Sequence, residues 1–201
     1  MYQRDCKEIE HHALASPAGL VDVIEFTLCS IQAGLSTIKL QRKDIALQGE
    51  SSRFLWGNKR NGWLYSLKHK ERIWSKLVAL RECPDDDITA ICDAIEILLK
   101  VPNLGLVKAS FVAQMLGFNV ACLDSHNLKR LGKGPAFVSL SKGLKPETKR
   151  KKIVHYVTFC QEKGSEYWWD TWCEYVAGNK ANRDLDTADL VSRYHVQAVK
   201  M

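Results

Sequence analysis

Asp124 is the residue of this chain best suited to do chemistry. It sits in Leu123-Asp124-Ser125-His126-Asn127, a short polar segment that follows a Pro/Gly-containing turn and one apolar helix. An ionised carboxylate there can take a proton from an incoming amine, activate water, or stabilise a cation developing on a reacting carbon. It can equally cap a helix running through Leu128, because Asp is favoured just before a helix. Neighbouring His126 suits a hydrogen bond within the same wall or a turn cap, with acid–base work as the alternative. Upstream, Val101-Pro102-Asn103-Leu104-Gly105 separates two runs of helical period, Ile88/Ile91/Ile95/Leu98/Leu99 and Phe111/Val112/Met115/Leu116. That order reads as helix, hairpin, helix. Gly105 can take a positive φ and lets another backbone approach, Asn103 tolerates the left-handed region, and amides at the next helix's start can point at a phosphate.

The segment VPNLGLVKA followed by LDSH resembles the helix-hairpin-helix DNA glycosylase superfamily, whose hairpin has the form LPGxGxKTA and whose catalytic Asp lies in a VDTH-like context. Leu28-Cys29-Ser30-Ile31-Gln32-Ala33 is similar to the family's LSAQA segment, in which the glutamine helps fill the gap left by an extruded base. The resemblance covers roughly residues 20 to 131. It implies an all-α, glycosylase-like helical fold forming a single unit over residues 1–201. Within it, 20–131 would be the helical core with hairpin 101–105 and Asp124, and 1–19 plus 132–201 the packing helices of a second subdomain. Three departures accompany the matches. Val107 occupies the family's Schiff-base lysine position, and Lys108 falls one residue later, about 100° further round a helix. Asn103 replaces the first hairpin glycine, and the iron–sulfur cysteines of some members are missing.

VKASFVAQMLG together with CLDSHN looks most like a bacteriophage branch of that superfamily associated with thymidine hypermodification and restriction evasion. In that branch a free amino acid is attached to phosphorylated 5-hydroxymethyluracil in DNA. The resemblance implies an amino acid:DNA transferase with double-stranded DNA and a free amino acid as partners, no cofactor, no metal, and a cytoplasmic location, that of the host if viral. Asp124 would be the catalytic residue, serving as general base or orienting group beside a nucleobase flipped out of the duplex. Gln32 would fill the vacated stack, and Asn103, Gly105 and Lys108 would hold the DNA backbone. A phosphate on the methylene carbon is a good leaving group, so no protein lysine is required. Two other readings stay open. A monofunctional DNA N-glycosylase would use Asp124 to support water attack on the sugar carbon, and a non-enzymatic DNA-binding module would keep the hairpin for grip alone.

Elements that must hold these residues read almost entirely as helices. Leu20/Ile24/Leu28/Ile31/Leu35 form one apolar stripe, and Ile73/Trp74/Leu77/Val78 another. Asp85, Asp86 and Asp87 suit the cap and first turn of the helix leading into the hairpin. Pro146 suits the first turn of a helix through Ile153, Val154, Val157 and Cys160, ended by Gly164. A further helix carries Tyr167, Trp168, Trp169, Trp172 and Tyr175 up to Gly178, an aromatic set expected mainly in the core. Asp186 or Thr187 can start the last helix.

Gly49 to Gly62 has no helical period and reads as a long loop. Its Arg53, Trp56, Lys59 and Arg60 form a candidate substrate or phosphate pocket with His126 and Asn127, cations interleaved with a ring that can stack a base. Gly132 to Pro146 is the second irregular stretch, containing Lys133, Ser139, Ser141 and Lys142, and the resemblance to a glycosylase-like fold implies a place near the site mouth for it. The run Lys149-Arg150-Lys151-Lys152 is the densest positive charge and lies at a helix start, where the dipole does not favour it. Its first three residues are candidate DNA contacts. His11 and His12 lack a metal-ligand spacing.

With 201 residues, 46% hydrophobic content and a net charge of +6, the chain can bury a substantial core and carries charge in the direction a polyanionic partner requires. Its seven cysteines include no CxxC pair and read as free thiols in a reducing compartment. No apolar run reaches the length of a membrane span and no signal peptide is evident, so neither secretion nor a membrane partner is expected.

Overall fold

The computed structural model describes residues 2–31, 33–141, 143–177 and 187–192, and these are helical with no β-strand among them. In chain order the helices are α1 (Tyr2–Ala15), α2 (Pro17–Cys29), α3 (Leu35–Gln48), α4 (Gly57–Arg81), α5 (Ile88–Leu98), α6 (Leu106–Met115), α7 (Ser125–Arg130), α8 (Pro146–Gln161), α9 (Gly164–Ala177) and α10 (Thr187–Ser192). An all-α architecture therefore holds for the described residues.

Helix α2 is the axis of the fold, buried from Gly19 to Cys29 and packed against α1, α3, α4, α6 and α10. Its start is set by Ser16, whose Oγ accepts from Gly19 N at 3.1 Å, and by Pro17 in the first turn, where a missing N–H costs nothing. A helix so enclosed would be expected to be apolar on every side, yet it carries Asp22 and Glu25, both nearly inaccessible. Arg42 of α3, also fully buried, answers both. Its Nε donates to Glu25 Oε1 at 3.0 Å, its Nη2 to Asp22 Oδ1 at 3.2 Å, and its Nη1 to the Val191 carbonyl on α10. Trp63 Nε1 donates to Glu25 Oε2 at 2.8 Å, and His12 Nε2 lies 2.9 Å from Asp22 Oδ2. Burial nonetheless outweighs Arg42 and Trp63 at Glu25 and holds its pKa above the ordinary carboxylate value.

The apolar stripe expected from Leu20 to Leu35 is interrupted. Leu20, Ile24 and Leu28 lie buried on α2, but that helix ends at Cys29 and a new one begins at Leu35. Ser30 Oγ donates to Thr27 O at 2.7 Å, local competition of the kind that ends helices, and Gly34 enters α3 in an extended conformation.

The long loop expected over Gly49–Gly62 is a second correction. A single 3-10 turn covers Gly49–Ser51, and α4 already begins at Gly57, so Lys59, Arg60 and Gly62 are helical. Two glycines hid this helix start. Gly57 has φ +52°, and at Gly62 a Cβ would stand 2.3 Å from Pro102 O, so the glycine permits α4 to abut the 101–105 hairpin.

Other boundaries follow the sequence. Asp87 Oδ1 accepts from Thr89 N and Ala90 N at 2.8 and 3.1 Å, capping α5, and Pro146 opens α8. Helix α10 starts at Thr187, whereas Asp186, Gly178, Lys142 and Gln32 lie outside the described residues. The aromatic set of α9 divides: Trp168 and Trp169 are core, while Tyr167 and Tyr175 are exposed. All seven cysteines are free thiols, and the buried apolar side chains form one cluster running from Cys6 to Val191. No helix among the described residues is long and apolar enough to cross a membrane.

Candidate active site

The hairpin forms where α5 ends. Val101 N donates to Leu98 O and Leu104 N to Val101 O, with Val101 and Leu104 buried and Asn103 and Gly105 exposed. Asn103 takes the left-handed conformation at φ 71°. Gly105 does not use the freedom of a glycine: at φ −82° and ψ 178° it is the extended cap residue of α6, and a Cβ there would meet nothing within 4 Å. The fold itself therefore has no need of glycine at this position.

Helix α6 ends at Met115, and the chain then runs through a buried, non-helical segment, 118–123, to Asp124. Three side chains hold that segment. Tyr156 Oη accepts from Leu123 N at 3.0 Å and donates to Ala121 O at 2.7 Å. Gln114 Oε1 accepts from Cys122 N at 3.1 Å, and Asn127 Nδ2 donates to Cys122 O at 3.0 Å. Buried backbone of this kind must be paired. Tyr156→Phe removes both hydroxyl bonds, and the expected loss is about 1–3 kcal/mol of stability. Urea denaturation reads that loss directly.

Asp124 caps α7 through one oxygen, Oδ1, which accepts from His126 N and Asn127 N at 3.1 and 3.0 Å. Its other oxygen, Oδ2, has no hydrogen-bond partner among the described residues and remains available for chemistry. The capping and catalytic readings of this residue are thus compatible, one oxygen serving each.

Asp124 borders a cavity of about 1350 Å³. One wall is formed by Ser30, Ile31, Ala33 and Gly34, a second is α6 with Val107, Lys108 and Phe111, a third is α7 with His126 and Lys129, and Lys133, Trp172, Glu174 and Tyr175 close it. Val107 and Lys108, about 100° apart on one helix, both line this cavity. Lys108 Nζ donates to Ser30 Oγ at 2.9 Å and lies 5.4 Å from the Phe111 ring centre. Lys133 is held over Phe137 and Phe159 at 4.6 and 4.7 Å. Buried thiols contribute no nucleophile here: burial pushes Cys29 and Cys122 up to about 12.

The remaining candidates distribute unevenly. Arg53, Trp56, Lys59 and Arg60 do not line the cavity. Lys59 Nζ donates to the carbonyl of Ile31, itself a lining residue, at 3.3 Å, and its pKa is lowered by burial and by the charge on Lys108. Arg60 pairs with Glu50 at 3.2 Å, Arg53 lies over Phe54 at 4.9 Å, and Trp56 is 67% exposed. Through the Gly62–Pro102 and Lys59–Ile31 contacts this part of the chain adjoins both the hairpin and the cavity wall.

In the basic run, Arg150 pairs with Asp93 at 2.6 Å and Glu96 at 3.3 Å on α5, and Lys152 Nζ donates to Ser139 O. Lys149 and Lys151 carry no ion pair among the described residues. The α5 carboxylates supply a structural reason for Arg150. Sequence reading missed Gln114 and Tyr156, which position Asp124, and Lys129 and Glu174, which face the same cavity; no local pattern marks them. No family model, curated protein or solved structure matches this chain.

Proposed function

We propose that the protein is a DNA-modifying transferase that joins the amine of a free amino acid to a phosphorylated 5-hydroxymethyluracil extruded from duplex DNA. The observation that carries this reading is the free Oδ2 of Asp124 at the edge of a cavity of about 1350 Å³ whose lining includes Lys108, Lys129 and Lys133. Single small ligands occupy pockets of about 300–1,000 Å³. This one has room for a flipped nucleotide and a second reactant together, and its lysines suit a departing phosphate.

The step balances without a cofactor. The amino acid enters as an ammonium and gives one proton to Asp124. Its lone pair forms a C–N bond to the methylene carbon as the C–O bond to phosphate breaks, the electron pair leaving with the phosphate. The proton on Asp124 passes to that phosphate, so the products are a secondary ammonium on the base and hydrogen phosphate. Asp124 acts as general base and then general acid.

Backbone grip would come from the hairpin and the amides opening α6. Because Gly105 is exposed, extended and unobstructed, Gly105→Ala is expected to change stability by less than about 1 kcal/mol. Its added methyl would stand where a DNA backbone approaches, and a several-fold loss of duplex affinity with an unchanged melting temperature is the expected outcome.

The direct test is mass spectrometry of nucleosides from DNA containing 5-hydroxymethyl-deoxyuridine or its phosphorylated form, after incubation with the protein and mixed amino acids. A mass gain equal to an attached amino acid supports the transferase. Release of free base with abasic DNA would instead support a monofunctional DNA N-glycosylase with Asp124 as its catalytic carboxylate.

A further inference from the structure

A second, smaller cavity of about 320 Å³ adjoins the first, between α7 and α9. Asp124, His126, Trp172, Glu174 and Tyr175 line both, and Arg130 and Thr171 belong to the smaller one alone. Its charges are of opposite sign and do not neutralise one another. Among the described residues, the polar partner of Arg130 is the Thr171 hydroxyl at a long 3.4 Å, and the Glu174 carboxylate has neither ion pair nor hydrogen bond. Opposite charges sharing so small a space usually close on each other. Here a guanidinium and two carboxylates line one cavity, with the rings of His126 and Tyr175, tilted by 32° and 3.8 Å between centres, beside them.

We infer that this smaller cavity is a binding site for a small zwitterion, an α-amino acid, whose carboxylate is held by Arg130 and whose ammonium is received by Asp124 and Glu174. A planar guanidinium matches a carboxylate in two-point fashion, and a carboxylate pair suits an ammonium. A simple anion such as phosphate would have to face Asp124 and Glu174. A simple cation would have to face Arg130. A molecule carrying both charges satisfies both walls. The volume fits a free amino acid. Asp124 is common to the two cavities, so the ammonium it receives lies at the edge of the larger space. This assignment deepens the transferase reading and rests on it for the ligand's fate, not for its binding.

The test is ligand-observed NMR on the full chain without DNA, titrating glycine, L-alanine and L-glutamate, with ethylamine and acetate as ligands that carry only one of the charges. At least one amino acid is expected to bind below about 10 mM, and each half-ligand about tenfold more weakly or worse. Arg130→Gln is expected to weaken amino acid binding about tenfold with an unchanged melting temperature, since the side chain is exposed and makes one long hydrogen bond. Glu174→Gln should weaken it in the same sense. Three results overturn the site: no amino acid binding up to about 10 mM, half-ligands binding as well as amino acids, or Arg130→Gln binding as well as the parent. The two proposals fail separately. Amino acid binding without any mass gain on phosphorylated DNA sinks the transfer reaction and keeps the site. A mass gain whose KM for amino acid ignores Arg130→Gln sinks the site and keeps the reaction.

Discussion

Asp124→Asn is expected to lower turnover by about 10²- to 10⁴-fold, the usual loss when a general base is removed, while leaving the fold and duplex affinity close to those of the parent. The separation comes from the two oxygens of this side chain. Oδ1 caps α7 through His126 N and Asn127 N, and an Asn carbonyl can accept the same bonds, Asn being as good a cap as Asp. What Asn cannot do is take a proton at the position of Oδ2. Single-turnover nucleoside mass spectrometry beside a duplex-binding titration reads both quantities. Unchanged turnover would remove Asp124 from the chemistry. If the parent has no turnover and the variant binds DNA equally well, the protein is a binding module.

Arg42→Met is expected to cost about 3–5 kcal/mol, because removing one partner of a buried ion pair strands the other. Here two carboxylates lose their guanidinium: Asp22 and Glu25 sit nearly inaccessible on the central helix, and Arg42 reaches both. Chemical denaturation gives the magnitude, and its pH dependence gives the cause. The folded-state pKa of Glu25 is already raised above the ordinary 4.5 by burial. A carboxylate with a raised folded pKa contributes its stability fully below the unfolded value, and that contribution is lost as pH rises through the folded value. Loss of Arg42 raises the folded pKa further, so the variant's deficit against the parent should be smallest near pH 4.5 and widen above it. A deficit independent of pH would mean that Arg42 acts by filling space.

Legibility from sequence followed the range of the interaction. Asp87 capping α5, Pro146 opening α8 and the left-handed Asn103 are decided by a residue and its nearest neighbours, and all three were readable. The start of α4 was misread because Gly57 and Gly62 carry the composition of a loop; the packing of Gly62 against Pro102, which explains its lack of a side chain, lies forty residues away in the chain. In the candidate site, Asp124 stood out by its local cap pattern. Tyr156 and Gln114, which fix its segment, did not, since Tyr156 reaches back to Leu123 and Ala121 from another helix. The same holds for Arg130 and Glu174, ordinary surface charges until the fold sets them on one cavity. The rings of α9 read as core by composition, yet only their placement shows that Trp172 and Tyr175 face the site.

The bond from Arg42 to the Val191 carbonyl joins positions 149 residues apart. Asp22, Glu25 and Arg42 lie within α2 and α3, whereas that carbonyl belongs to α10, far along the chain. Contacts of such long sequence separation are slow to form. Until α10 docks, the central helix keeps its charges partly wet, so folding is expected to pass through a loosened state in which α2 and α3 have met and α10 has not.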